Sequence, residues 1–238
     1  MIERIIESAI LNDFLRRKVI VLLGARQVGK TTLLESLRKK GQKVFSVNCD
    51  DMDDVLLIEE KTSTELRALL APYDLVFIDE AQRVKNIGLT LKKIGDLKLD
   101  TQVVVTGSSS LELADEVNEP ATGRLIEYRL FPFSLSELAA HTSEREEQRM
   151  LEQRLIYGLY PEVVTFPGDA KRTLMTLTNN YLYKDLFSYR GLKKPDVLQK
   201  LLRALALQLG NEVSYNELSN LLGVDKETIE NYINLLEK

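Results

Sequence analysis

The sequence predicts an α/β fold: a parallel sheet covered on both faces by helices, followed by a region made of helices alone. Three observations predict it. Apolar, β-branched runs such as Lys18-Val19-Ile20-Val21-Leu22-Leu23 and Gln102-Val103-Val104-Val105-Thr106 lack polar alternation, as strands buried on both faces do. Helical segments lie between those runs, which is the βαβ order of a parallel sheet. After Phe131-Pro132-Phe133 the pattern changes to helices only.

Residues 1–17 predict a helix, with Ile5, Ile6, Ala9, Ile10 and Phe14 on one side. The first strand follows over 18–23. Thr31-Thr32-Leu33-Leu34-Glu35-Ser36-Leu37 opens a helix with Leu33, Leu34 and Leu37 on one face, running to about Lys40, where Gly41 is a stop. Lys43-Val44-Phe45-Ser46-Val47 is the second strand. It leads into Asn48-Cys49-Asp50-Asp51-Met52-Asp53-Asp54, a carboxylate cluster whose spacing matches no Ca²⁺ loop and which reads as a solvated loop and helix start. A short helix covers Ser63 to Leu70 and ends before Pro72. Leu75-Val76-Phe77-Ile78 is the third strand, a helix lies around Asn86–Lys93, and the strands at 102–106 and 125–130 complete the sheet.

In the helical region, Ser143 and Glu146 fit a capping box before Met150, Leu151, Leu155 and Ile156. Leu174, Leu177, Tyr181, Leu182, Leu186 and Tyr189 recur with helical period, a stripe read as core packing rather than a base-binding face. Pro195 to Leu209 is an apolar helix closed by Gly210. Ser214-Tyr215-Asn216-Glu217 opens another helix, Gly223-Val224-Asp225 turns the chain, and Lys226 to Lys238 is the last helix, a helix-turn-helix pattern.

Two short runs carry the chemistry. Gly24-Ala25-Arg26-Gln27-Val28-Gly29-Lys30-Thr31 fits the phosphate-binding loop pattern G-x-x-x-x-G-K-[ST]. Its glycines let successive N–H groups turn inward around an anion, and the helix that starts there adds free N–H groups at Lys30, Thr31 and Thr32. The Lys30 ammonium can reach the β- and γ-phosphates, and the Thr31 hydroxyl can ligate Mg²⁺. The second run is Leu75-Val76-Phe77-Ile78-Asp79-Glu80, an apolar strand ending in two carboxylates. Asp79 is placed to hold the metal, directly or through water, and Glu80 to polarise an attacking water as general base.

The strand at 102–106 ends in Gly107-Ser108-Ser109-Ser110. Thr106 or Ser108 could sense the γ-phosphate there, because ligands gather at the carboxyl ends of parallel strands; the alternative is a serine-rich turn capping a helix from Leu111 to Val117. Arg124 follows Gly123 on the way into the last strand. It is expected to act on the γ-phosphate, in its own subunit or a neighbour's. A surface salt bridge is the alternative, and Arg26 is a competing cation. No Asn-Lys-x-Asp-like tetrapeptide is present, so the base is expected to be adenine.

Composition narrows the classes. The chain has 238 residues, 44% apolar and 29% charged, with a net charge of −4, so it carries no general attraction for nucleic acid or anionic membrane. One Cys and one His exclude an intramolecular disulfide framework, disfavour a His/Cys zinc site and suit a reducing cytoplasm. The opening Met1-Ile2-Glu3-Arg4 is not expected to be a signal peptide, and no apolar run approaches the length needed to span a bilayer.

The ordered set Gly-Ala-Arg-Gln-Val-Gly-Lys-Thr-Thr (24–32), Phe-Ile-Asp-Glu-Ala-Gln (77–82), Thr-Gly-Ser-Ser-Ser (106–110), Gly-Arg-Leu (123–125) and Tyr-Gly-Leu-Tyr-Pro-Glu-Val-Val (157–164) resembles the bacterial and archaeal AAA-type ATP-binding proteins that carry a C-terminal domain of unknown function. The resemblance implies a P-loop NTPase core over 1–131, an all-helical lid over 132–194 and a winged-helix segment over 195–238. Members of that family are longer, so the winged helix is expected to be partial here. The resemblance implies ATPase activity with ATP and Mg²⁺. The main expectation is therefore an ATPase that drives or reports a conformational change to an unidentified protein partner, or to a second copy through the lid and C-terminal helices. The alternatives are an ATP-controlled DNA-binding switch and a low-turnover signalling module. DNA binding is disfavoured: Asp196 to Lys238 holds seven acids (Asp196, Glu212, Glu217, Asp225, Glu227, Glu230, Glu237) and four bases (Lys200, Arg203, Lys226, Lys238), a net −3, and phosphate contacts need cations. Ile229, Tyr232, Ile233 and Leu236 are spaced as a packing face, expected to dock on the lid, a partner or another copy.

Overall fold

In the computed structural model, residues 2–107, 123–179 and 194–237 are described. They divide between Thr173 and Leu174 into two compact units. The first unit is built on five strands, β1 (Val19–Leu23), β2 (Val44–Asn48), β3 (Leu75–Asp79), β4 (Gln102–Gly107) and β5 (Leu125–Arg129), in the order β2-β3-β4-β1-β5. All pairings are parallel. Every residue of β1 and β4 is buried, which is why those runs carry no polar alternation.

Successive residues of the strands feed two cores. Val19, Val21, Leu23, Val76, Ile78, Val103 and Val105 point to one face. There they meet α3 (Met52–Ile58), α4 (Ser63–Leu70) and α5 (Ile87–Asp96) through Val55, Ile58, Leu66, Leu70, Ile87, Leu91 and Ile94. Ile20, Leu22, Phe77 and Val104 point the other way, to α1 (Ile5–Asp13) and α2 (Lys30–Ser36), through Ile10, Leu33 and Leu34. Helices therefore cover both faces, as the order of elements predicts.

Two boundaries move. The helix expected over residues 1–17 is helical only over Ile5–Asp13 and tightens into a 3₁₀ turn at Phe14–Arg16. The helix expected to reach about Lys40 ends at Ser36; Leu37 closes it and turns lead to Gly41 at φ 90°. The acid-rich stretch is a helix start. The Asp51 side chain accepts the Asp53 N–H at 3.0 Å, and Asp54 accepts the Asn48 N–H at 2.7 Å. Among the described residues, no three His, Cys, Asp or Glu are grouped to hold a metal.

After β5 the chain is helical: α6 (Leu135–His141), α7 (Glu144–Arg149), α8 (Leu151–Tyr157), α9 (Pro161–Thr165) and α10 (Ala170–Leu177). The sequence reading missed the capping box that opens α6, in which Ser134 and Glu137 bond reciprocally. Ser143 caps α7 by accepting the Glu146 N–H at 3.1 Å.

The second unit holds α11 (Pro195–Leu207), α12 (Tyr215–Leu222) and α13 (Lys226–Glu237). Gly223, at φ 66°, ends α12 and the chain turns into α13, where Asp225 accepts the Thr228 N–H at 2.7 Å. Ile229, Tyr232 and Leu235 are the buried residues of α13. Of the expected face, Ile229 and Tyr232 are buried and Ile233 and Leu236 half-buried, and Leu235 adds to it. No described helix is long and apolar enough to cross a membrane. The Leu111–Val117 helix, Ser108 to Ser110, and the stripe from Tyr181 to Tyr189 lie outside the described residues.

Candidate functional site

The carboxyl ends of β1, β3 and β4 meet the start of α2, and the polar residues converge there. Gly24 leaves β1 so close to the chain after β5 that a Cβ on it would sit 2.5 Å from the Leu130 carbonyl oxygen. Gln27 turns with φ 59°, and Gly29 precedes α2 at φ 98°, a backbone that favours glycine. Val28 between them is fully buried and pins the loop to the α1–α2 face. The Leu33 N–H is bonded to the Gly29 carbonyl at 2.9 Å. The N–H groups of Lys30, Thr31 and Thr32 precede it in the first turn, where a helix supplies no partner.

Lys30 is buried. Its ammonium donates to the Gly24 carbonyl at 2.9 Å and the Ala25 carbonyl at 3.1 Å, which stations the charge at the mouth of the loop. Thr31 Oγ1 donates to Asp79 Oδ2 at 3.0 Å. These residues stand 48 positions apart, and the fold brings their oxygens into contact.

Asp79 is gripped from its other side as well. Thr106 Oγ1 donates to Asp79 Oδ1, and the same hydroxyl accepts the Glu80 N–H at 3.2 Å. Thr106, one of the two residues expected to sense phosphate, thus has its hydroxyl between the Asp79 carboxylate and the Glu80 backbone. Glu80 has φ 53°, a left-handed conformation costing about 1–2 kcal/mol for a non-glycine residue. Its carboxylate accepts from Gln82 Nε2 at 2.5 Å. Beside them, burial pushes the Cys49 thiol up to about 12, helped by Asp54, Asp79, Asp50 and Glu80, so the thiol stays protonated.

Ala25 and Gln27 are exposed on the loop, Arg26 is half-buried, and Thr32 is exposed on α2. Ser108 falls outside the described residues.

Arg124 is not brought to the site. Its carbonyl accepts the Val19 N–H at 3.1 Å, at the amino end of β1, while Arg129 pairs with Leu23 at the loop end. Five strand residues, about 17 Å, separate Arg124 from the phosphate loop, and its guanidinium is ion-paired with Asp96. Within its own subunit Arg124 therefore stands at the amino edge of the sheet.

Arg4, which the sequence does not single out, also touches the loop. Arg4 Nη1 donates to the Val28 carbonyl at 3.3 Å, and Nε pairs with Glu137 Oε1 at 3.1 Å. No local pattern around Arg4 signals this, because its partners lie 24 and 133 residues away. The Ser134-x-x-Glu137 capping box is the one sequence trace of that neighbourhood.

Donor chemistry fits the expected cofactors. Thr31 and Asp79 offer hard oxygen ligands of the kind Mg²⁺ takes, and the glycine-bounded loop would hold phosphate.

Comparison with known proteins identifies the family and supports the fold. The AAA domain family matches residues 16–139, and a domain of unknown function (DUF8612) matches residues 148–238. An uncharacterized protein of Haemophilus influenzae is 26% identical over 253 residues, covering 94% of this chain and 60% of its own length. The uncharacterized protein MJ1544 of Methanocaldococcus jannaschii is 25% identical over 241 residues, covering 91% of this chain and 54% of its own. The chain thus spans little more than half the length of these curated relatives. The Walker-type ATPase PABY2304 of Pyrococcus abyssi shares the fold over 100% of this chain and 89% of its own, with a TM-score of 0.61 and 17% identity.

Proposed function

The chain belongs to the AAA domain family, and from that premise we propose that it binds ATP with Mg²⁺ and hydrolyses the bond to the γ-phosphate. One observation carries the reading: the Thr31 hydroxyl and the Asp79 carboxylate meet at 3.0 Å beside the stationed Lys30 ammonium. Thr31 and Asp79 would hold the ion, directly or through water. An ion held there would supply positive charge against the charge that develops in phosphoryl transfer.

The backbone from Gly24 to Thr32 binds the phosphates, and Lys30 exchanges two loop carbonyls for phosphate oxygens. Glu80 orients the attacking water and takes its proton. Thr106 keeps Asp79 and the Glu80 backbone in register. Adenine is favoured because no guanine-reading tetrapeptide occurs.

In this reading residues 1–131 are the ATPase core, 132–194 a lid and 195–238 a partial winged helix. The ATP state passes to a protein partner or a second copy, in a cytoplasmic setting, rather than to DNA. The net −3 of the last segment supports that choice, and a salt-titrated gel shift with duplex DNA checks it. Steeply salt-sensitive micromolar binding would promote the DNA switch.

Phosphate release and titration with a fluorescent ATP analogue test the chemistry. Lys30→Ala is expected to weaken binding roughly a hundredfold, because it removes a charged donor to phosphate. Glu80→Gln is expected to bind normally but lose about a hundredfold or more in turnover. Normal turnover by Glu80→Gln, or no Mg²⁺-dependent phosphate release by the unaltered protein, overturns the assignment.

A further inference from the structure

We propose that Arg4 is a positioning residue for the phosphate loop: it holds the Val28 carbonyl on the outer side, which keeps the Gly29 N–H turned inward to the nucleotide phosphates. The proposal rests on the ATP-binding reading and names a determinant outside the matched AAA region, which begins at residue 16.

The geometry is that of a fork with three tines in use. Nη1 donates to the Val28 carbonyl at 3.3 Å, Nε to Glu137 at 3.1 Å, and Nη2 to the Phe131 carbonyl. The guanidinium lies 4.6 Å from the centre of the Phe133 ring. Glu137 is itself fixed, accepting the backbone N–H groups of Ile5 and Ser134 at 2.9 Å each. Both side chains are buried, 9% and 7% exposed. One cation thus joins the start of α1, the loop, the chain after β5 and the first turn of α6.

Peptide geometry turns this contact into a functional one. The Val28–Gly29 peptide is trans, so its C=O and N–H point to opposite sides. Fixing the carbonyl toward Arg4 fixes the N–H away from it. Arg4 Nη1 stands 4.0 Å from the place a Cβ on Gly29 would take, with Pro161 Cγ at the same distance. Those two groups therefore wall the outer side of the loop at the residue whose freedom most needs limiting. Stability alone does not account for the arrangement, since a buried ion pair is often no better for folding than an apolar replacement. A lysine would keep the charge but lose the fork.

The test compares Arg4→Gln, Arg4→Lys and Glu137→Gln in the full chain. Kd for a fluorescent ATP analogue with Mg²⁺, KM, kcat and melting temperature are measured on each. Kd and KM are expected to rise roughly tenfold in Arg4→Gln, the effect of losing one charge-assisted hydrogen bond, with kcat at saturation within about twofold. Arg4→Lys should fall between that variant and the unaltered protein. Arg4→Gln combined with Glu137→Gln should bind no worse than Arg4→Gln alone, because both act through one contact. A lowered melting temperature with Kd within twofold overturns the proposal, because it leaves Arg4 a purely structural role. If Arg4→Gln does not fold, Arg4→Lys is held to the same twofold limit. Unaltered protein that fails to bind the analogue overturns the ATP reading and this proposal together; binding that is insensitive to Arg4 overturns this proposal alone.

Discussion

The two ends of the sheet carry similar residues in different surroundings. At the carboxyl end, Thr106 is fully buried and Lys30 nearly so, and Asp79 takes a hydrogen bond on each carboxylate oxygen. At the amino end the charges face water. Arg124 and Asp96 are 37% and 51% exposed, and Arg17 and Asp100 are 64% and 89% exposed in a pair at 2.8 Å. Exposed pairs are screened and cost side-chain entropy to hold, whereas fixed groups in a drier site act at full strength on whatever enters. The contrast teaches where to look in this fold: a charge on a strand acts on the loop only from the strand's carboxyl end.

The sharpest way to break that contrast uses one glycine from each end. A Cβ on Gly24 would meet the Leu130 carbonyl at 2.5 Å, and one on Gly95 would meet Arg124 Cβ at 2.9 Å. Neither neighbour is a loose side-chain tip, so both variants should destabilise by about 1–3 kcal/mol, as overpacking does. Only Gly24→Ala moves the phosphate loop. Its nucleotide Kd is expected to rise from tenfold to roughly a hundredfold, while Gly95→Ala keeps Kd within about twofold. Equal losses of affinity in the two variants would show that the ends are coupled, and the division into a working end and a scaffolding end would fall.

Much of the working end is legible in the sequence because its residues are close together along the chain or obey a rigid pattern. The Gly24-to-Thr31 spacing and the Asp79-Glu80 strand end specify local backbone shapes, and local shapes need no tertiary knowledge. Arg4 fails that condition. Its role comes from a buried pairing with Glu137, and a solvent-facing arginine would have the same sequence neighbours. Arg124 fails differently. Gly123-Arg124 resembles a motif, but a residue at the start of β5 lies an entire strand away from the loop, a fact set by the parallel pairing of Val19 with Leu125. On α13 the spacing of Ile229, Tyr232, Ile233 and Leu236 marks the packed side, but that Leu235 is buried more deeply than Leu236 is decided by packing alone.

A smaller effect is expected at Thr106, which lies deep at the working end and has no reach to solvent. Thr106→Val keeps the shape but can neither donate to Asp79 nor accept from the Glu80 N–H. An unsatisfied buried N–H costs about 1–3 kcal/mol, and Glu80 already sits in a left-handed conformation. Turnover should drop roughly tenfold, with nucleotide Kd changed by less than about threefold because Lys30 and the loop are untouched. Steady-state phosphate release at saturating ATP reads the first number and analogue titration the second. Unchanged turnover would mean that Asp79 and Glu80 hold their places without the hydroxyl.

The smallest effect is expected at Arg124. An ion pair this exposed contributes about 0–1 kcal/mol, so Arg124→Ala should lower the melting temperature by no more than about 4 °C in a chain of this size. Its ATPase rate should stay within about twofold of the unaltered rate, because Arg124 lies a full strand from the loop of the same subunit. One arrangement would make this residue matter: a second copy presenting its amino edge to the loop, with the Asp96 pair exchanged for a phosphate contact. Arg124→Ala retains a complete loop and Lys30→Ala retains the arginine, so mixing the two variants would then restore turnover that neither shows alone. Such a recovery, together with a rate for Arg124→Ala that falls about a thousandfold, would move Arg124 from the scaffold into a neighbour's site. Two variants that stay additive on mixing leave the amino end of the sheet as the scaffold its exposed ion pairs describe.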